Sequence, residues 1–141
     1  MSKKEHPSTN GAVPAEAEWA RYAGPARTLV LLNALLALTL ELTMFALVVW
    51  WFLALDLTLW ARVPLAVAAF TAFATLWGLL VSPKARYPLP TLWTVVFKLA
   101  AYGCSTLALW DLGYPVAAIV FAVLAAANTA AVTYVRTRPA V

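Results

Sequence analysis

Glu41, in "LTLELTMFALVVWW", and Lys98, in "TVVFKLAAYGCS", are ionisable side chains set among apolar neighbours. Charges so placed have three roles open to them. They can pair with each other, they can carry protons for a transport cycle, or they can meet another subunit. Asn33 and Asn128 are carboxamides in similar surroundings, able to bond across helices. Other reactive types are scarce. His6 is the sole histidine and lies in the polar N-terminal stretch, so no haem or metal site within an apolar segment can draw on imidazole. Cys104 is the sole cysteine, which excludes an internal disulfide or a cysteine-ligated cluster within one chain. No phosphate-cradling glycine loop, nucleophile elbow or paired carboxylate is present. The expectation is a non-catalytic protein with no metal and no cofactor.

The elements that hold these groups follow from composition. Of 141 residues, 64% are hydrophobic and 11% charged, against about 25% charged in an ordinary soluble domain. Mean hydropathy is +0.82. Four apolar runs, residues 28–53, 63–81, 91–110 and 115–135, are separated by "ALDLTLWARVP", "SPKARYPLP" and "DLGYP". Each run is long enough to cross roughly 30 Å of hydrocarbon, which takes about 20 helical residues. Lipid leaves a backbone no partner but itself, and the alternation of barrel strands is absent. The sequence therefore predicts an all-α, four-helix transmembrane bundle over residues 28–135. Residues 1–27 and 136–141 read as cytoplasmic tails. The first is disordered at its start, with a short interfacial helix around Trp19 and Tyr22.

Cations set the expected orientation. Lys3, Lys4, Arg21, Arg27, Lys84, Arg86, Arg136 and Arg138 fall on one side, and Arg62 alone on the other. Positive-inside bias places both termini and the 82–90 loop in the cytoplasm of a bacterial plasma membrane. The aromatics read as interfacial anchors, with Trp50, Trp51, Trp60, Trp110 and Tyr114 outside, and Trp19, Tyr22, Trp77, Tyr87, Trp93 and Tyr134 inside. The net charge of +4 is a product of this topology and implies no nucleic-acid partner.

At 1.5 Å per residue Glu41 lies about 20 Å along the first run and Lys98 about 10 Å along the third, in helices that run the same way. An unpaired charge at that depth costs about 2.5–3.5 kcal/mol on insertion scales. Pairing of Glu41 with Lys98, directly or through water and with Asn128 near the level of Lys98, is the favoured reading. Thr39, Thr43, Thr71, Thr75, Ser105, Thr106 and Thr129 are expected to bond their own helices and let neighbours approach.

Around "LWGLLVSPKARYPLP" the chain resembles the YrdB-like family of small bacterial four-helix membrane proteins, a domain of unknown function. Glu41, Trp77-Gly78 and Ser82-Pro83-Lys84 carry the likeness, which extends through "FKLAAYGCSTLALW" and "VFAVLAAAN". The resemblance implies an acidic residue in the family pattern where this chain has Lys98, which sets this chain's ion pair apart. It implies fold and membrane location, and no reaction. The expected function is an accessory or structural subunit of a larger respiratory or transport complex, with the bilayer and other membrane subunits, or further copies of the chain, as partners. The alternative is a small dimeric proton-coupled transporter that uses Glu41. A lipid-acting enzyme would have only Asp56, Arg62 and Asp111 in its outer loops to work with.

Overall fold

A computed structural model describes residues 22–82 and 84–137 of the chain. The expected disordered tail, most of the interfacial helix, Pro83, Arg138 and the rest of the C-terminal tail lie outside the described residues. Four helices follow in order: α1 Pro25–Ala54, α2 Leu59–Leu80, α3 Thr91–Asp111 and α4 Pro115–Thr137. Each is long and apolar enough to cross a membrane, which is the form of a multi-pass membrane protein.

Local chemistry accounts for the ends. Gly24 takes a φ of 62°, and Pro25 then opens α1 with its ring preset for helix, three residues before the apolar run begins. α2 starts at Leu59, ahead of the expected residue 63, because Arg62 does not interrupt it. Its guanidinium turns back to donate to the Leu53 carbonyl at the end of α1, at 3.2 Å. Pro64 consequently lies inside the helix and not in its first turn. After α2 the chain folds back on itself: Tyr87 N–H donates to Leu79 O and Leu89 N–H to Leu80 O, which occupies carbonyls at the helix end. α3 closes with Gly113 at φ 92°, where Gly113 N–H reaches Trp110 O and Tyr114 N–H reaches Leu109 O. That pair of bonds is a Schellman cap, and glycine is the residue that adopts its left-handed position without steric cost.

The helices run alternately up and down. Trp50 meets Tyr114 with ring centroids 5.7 Å apart, so the end of α1 adjoins the α3–α4 turn. The end of α4 lies beside the α2–α3 loop. Among the described residues, Arg27, Lys84, Arg86 and Arg136 therefore share one end, and Arg62 is at the other.

Packing centres on α1, which contacts each of the other three helices, while α3 and α4 form the most extensive pair. Leu40, Met44 and Leu47 repeat at helical spacing on the buried face of α1. Ala101, Ser105 and Ala108 on α3, with Ala118 and Ala125 on α4, bring small side chains to buried positions, which allows close helix approach. α2 meets α3 through rings: Trp77 lies with its centroid 6.1 Å from Phe97 and 6.5 Å from Tyr102. Bulky side chains of this kind hold two backbones apart. Large apolar side chains cover the outside, among them Leu29, Val67, Leu107 and Val116. That is the surface a hydrocarbon solvent favours.

Candidate functional site

The polar groups inside the bundle form two separate pairs. Lys98 Nζ donates to Glu41 Oε1 at 3.2 Å, joining α3 to α1. The side chains retain 12% and 22% of their exposure respectively. Lys98 Nζ also stands 5.6 Å from the centroid of the Trp77 indole, whose face attracts a cation. The register of the helices makes this contact possible. Ser105 Oγ, fully buried, lies 3.1 Å from Ala101 O and 3.4 Å from Met44 O. With Ser105 level with Met44, Lys98 starts about four residues below Glu41, a rise of about 6 Å. The lysine stem spans that distance. The larger offset expected from run lengths shrinks because Thr91, where α3 begins, stands level with about residue 30 of α1 and not with Thr28.

Asn33 and Asn128 make the second pair. Asn128 Nδ2 donates to Asn33 Oδ1 at 2.9 Å and to Asn33 O at 3.1 Å, joining α4 to α1. Asn33 is eight residues before Glu41, about 12 Å along α1, so the two pairs occupy different levels. At the opposite end Trp51 Nε1 donates to Asp111 Oδ2 at 2.8 Å. Sequence reading treats Trp51 as a lipid anchor and Asp111 as part of a turn, and nothing in either local context announces their bond across 60 positions. All these ties, with the Arg62 bond to Leu53, have one end on α1.

Trp77 corrects an expectation. Read as an interfacial anchor, it is 7% exposed. Phe45, Phe73, Phe97 and Tyr102 surround it at centroid distances of 6.1–6.5 Å. Trp60, Trp93 and Trp110, by contrast, are exposed. The remaining motif residues serve the turn after α2. Ser82 Oγ accepts the Lys84 N–H at 3.3 Å, and Ser82 O accepts the Ala85 N–H at 2.9 Å. Gly78 faces open space, with nothing within 4 Å of where a Cβ would stand.

Of the hydroxyls expected to bond their own helices, Thr39, Thr43, Thr71, Thr75, Ser105 and Thr106 do so with the carbonyl four residues back. Thr129 does not. It is 6% exposed and lines a cleft of about 290 Å³ at the end of the bundle where α2 stops and α3 starts. Lys98 and Asn128 border the same cleft. This grouping escapes the sequence because its members come from three helices and a loop. Among the described residues no group of three or more His, Cys, Asp or Glu side chains is placed to hold a metal ion.

A family model described as a protein of unknown function (DUF2568) matches residues 35–126. This stretch holds Glu41, the Trp77 cluster and Lys98. No curated protein and no solved structure matches the chain.

Proposed function

The chain belongs to the DUF2568 family of proteins of unknown function, and on that premise we propose that it is a non-catalytic integral membrane protein of the YrdB-like kind. It sits in a bacterial plasma membrane with both termini cytoplasmic and serves as an accessory or structural subunit of a larger respiratory or transport complex.

The observation that carries this reading is the Glu41–Lys98 contact of 3.2 Å. A carboxylate that relays protons must be released and recaptured during each cycle. Glu41 is instead committed to a lysine which the Trp77 ring also holds in place. Together with the Asn33–Asn128 pair it fixes α1 against α3 and α4, which is a structural task. The cations gathered at one end support a single orientation with that end in the cytoplasm. An exterior of leucine, valine and alanine suits lipid and lateral protein contacts alike.

The test is to tag the C-terminus, extract the protein gently from its native membrane, and determine the mass and composition of the particle. A large assembly with a constant set of companion chains is the expected result. A particle of one or two copies alone overturns the subunit reading. Glu41 keeps 22% of its side chain accessible, so the next reading is then the dimeric transporter, tested by pH-dependent substrate uptake with Glu41→Gln beside the parent.

A further inference from the structure

The cleft between the ends of α2, α3 and α4 is lined by polar groups that the two interhelical pairs do not use up. Thr129 is 6% exposed and makes no hydrogen bond among the described residues. No described side-chain nitrogen or oxygen is both enclosed and without a partner. The Thr129 hydroxyl is therefore reachable, and the cleft it lines is what reaches it. Asn128 is 5% exposed and stands the same way. Its nitrogen is used by Asn33, and its Oδ1 is an accessible acceptor on the same wall. Lys98 spends one N–H on Glu41 and has two more.

These groups select neither an ion nor a hydrocarbon chain. Lys98 is offset by Glu41 at 3.2 Å, and Arg136, which also borders the cleft, has a partner of its own. Lipid tails against Thr129 and Asn128 would leave both without a hydrogen bond, which is costly in a medium that can neither donate nor accept. Water does both. The volume of about 290 Å³ accommodates about ten water molecules at about 30 Å³ each.

The cleft is open at one end and closed at the other. Pro88, Thr91 and Thr137, at its mouth, are exposed. Its lining reaches no further along α3 than Lys98, about 10 Å beyond Thr91, and no further into α4 than Asn128. One turn past Thr129, Ala125 is 1% exposed, and Met44 and Ser105 beyond it are fully buried. That packed layer closes the inner end.

We propose that the cleft is a water-filled vestibule that ends at Lys98 and gives the Glu41–Lys98 pair aqueous access from the 82–90 end alone. Water bonds the remaining N–H groups of Lys98, the Thr129 hydroxyl and Asn128 Oδ1. The pair then exchanges protons with one compartment only, and the protein holds half a channel and not a pore. The orientation proposed above decides which compartment that is; the vestibule does not depend on it.

The experiment uses the full chain in sealed membrane vesicles of either orientation, with Cys104→Ser as background and a single cysteine at Thr129, Thr133 or Ala125. The probe is a small, impermeant methanethiosulfonate that carries a trimethylammonium group. A thiolate attacks the thiosulfonate sulfur, a mixed disulfide forms and methanesulfinate leaves, so the rate reports water at the thiol. Intact-mass spectrometry follows it. Thr129→Cys should react about tenfold or more faster than Ala125→Cys, and than native Cys104, whose thiol is exposed on the outer, lipid-facing surface of α3. It should do so only from the face that labels Ala85→Cys. Thr133→Cys should react at least as fast from that face. Lys98→Cys combined with Glu41→Gln, which leaves no unpaired charge, should react as well and marks the inner end. If Thr133→Cys alone reacts, or none of these does, the proposal is overturned. Equal labelling of Thr129→Cys from both faces makes the cleft a pore and also overturns it. Labelling of Thr129→Cys and Ala85→Cys together from the outer face supports the vestibule and overturns the proposed orientation instead.

Discussion

At the scale of single residues, the structure assigns the polar groups to pairs whose energetics can be separated. Breaking a fully buried ion pair from one side costs about 3–5 kcal/mol in soluble proteins, while hydrogen bonds between membrane helices average about 0.6 and reach about 1.7 kcal/mol. Glu41 and Lys98 retain part of their exposure, so Lys98→Met should destabilise the bundle by about 1–2 kcal/mol. Glu41→Gln together with Lys98→Met should cost less than the sum of the single changes. A double-mutant cycle in reversible detergent unfolding measures this, and strict additivity would remove the pair from any account of stability. Ser105 sets the distance between α1 and α3, being fully buried against Met44 O. Ser105→Ala should cost about 0.6 kcal/mol, the mean for a hydrogen bond between membrane helices. Ser105→Val, which adds volume where none is free, should cost about 1–3 kcal/mol. Equal losses in the same unfolding assay would mean that close approach is not what Ser105 provides. Opposite charge on parallel-running helices is enough to suggest Glu41 for Lys98 from sequence. No comparable signal selects Asn33 for Asn128, since a carboxamide bonds any polar neighbour and the two are 95 positions apart.

At the scale of elements, α2 lies close along α1 but meets α3 through rings more than by backbone proximity, so Trp77 is its fastening to α3. Trp77→Ala should destabilise the bundle by about 3–5 kcal/mol and expose the 82–90 loop to limited proteolysis, whereas Trp77→Phe should lose much less. A loop no more sensitive in Trp77→Ala than in the parent would contradict the assignment. Helix ends allow a test of sign. Gly113 has a φ of 92°, while Gly78 is helical, and a methyl group at either position would meet no atom within 4 Å. Gly113→Ala should therefore cost about 1–2 kcal/mol from backbone conformation alone. Gly78→Ala should gain about 0.5–1 kcal/mol by reducing freedom in the unfolded chain. Thermal melts of the two variants that moved in the same direction would refute this. Helix existence is legible in the sequence because run length, proline and glycine act locally. The first residue of α2 is less so, since the charge of Arg62 suggests a loop until its bond to Leu53 O is seen.

At the scale of the whole molecule, four helices alternate in direction and gather the described cations, Arg62 and Lys98 apart, at one end. With Cys104 replaced by Ser, single cysteines at Ala85 and Gly113 should react with an impermeant maleimide from opposite faces of the membrane, Gly113→Cys alone in intact cells. Labelling of both from one face would exclude the alternating bundle. Labelling of each from both faces would indicate mixed orientation and favour an antiparallel dimer. The sequence by itself determined the number of helices, their approximate limits and the apolar character of the exterior, because these depend on hydropathy summed along contiguous residues. The tertiary structure decided the buried face of each helix, the burial of Trp77, the pairing of Asn33 with Asn128, and the cleft that Thr129 opens onto. The physical reason is that the buried and outward faces of such helices are both apolar, so no polar stripe marks the face that packs. Rotation and register then follow from side-chain fit between segments far apart in the chain.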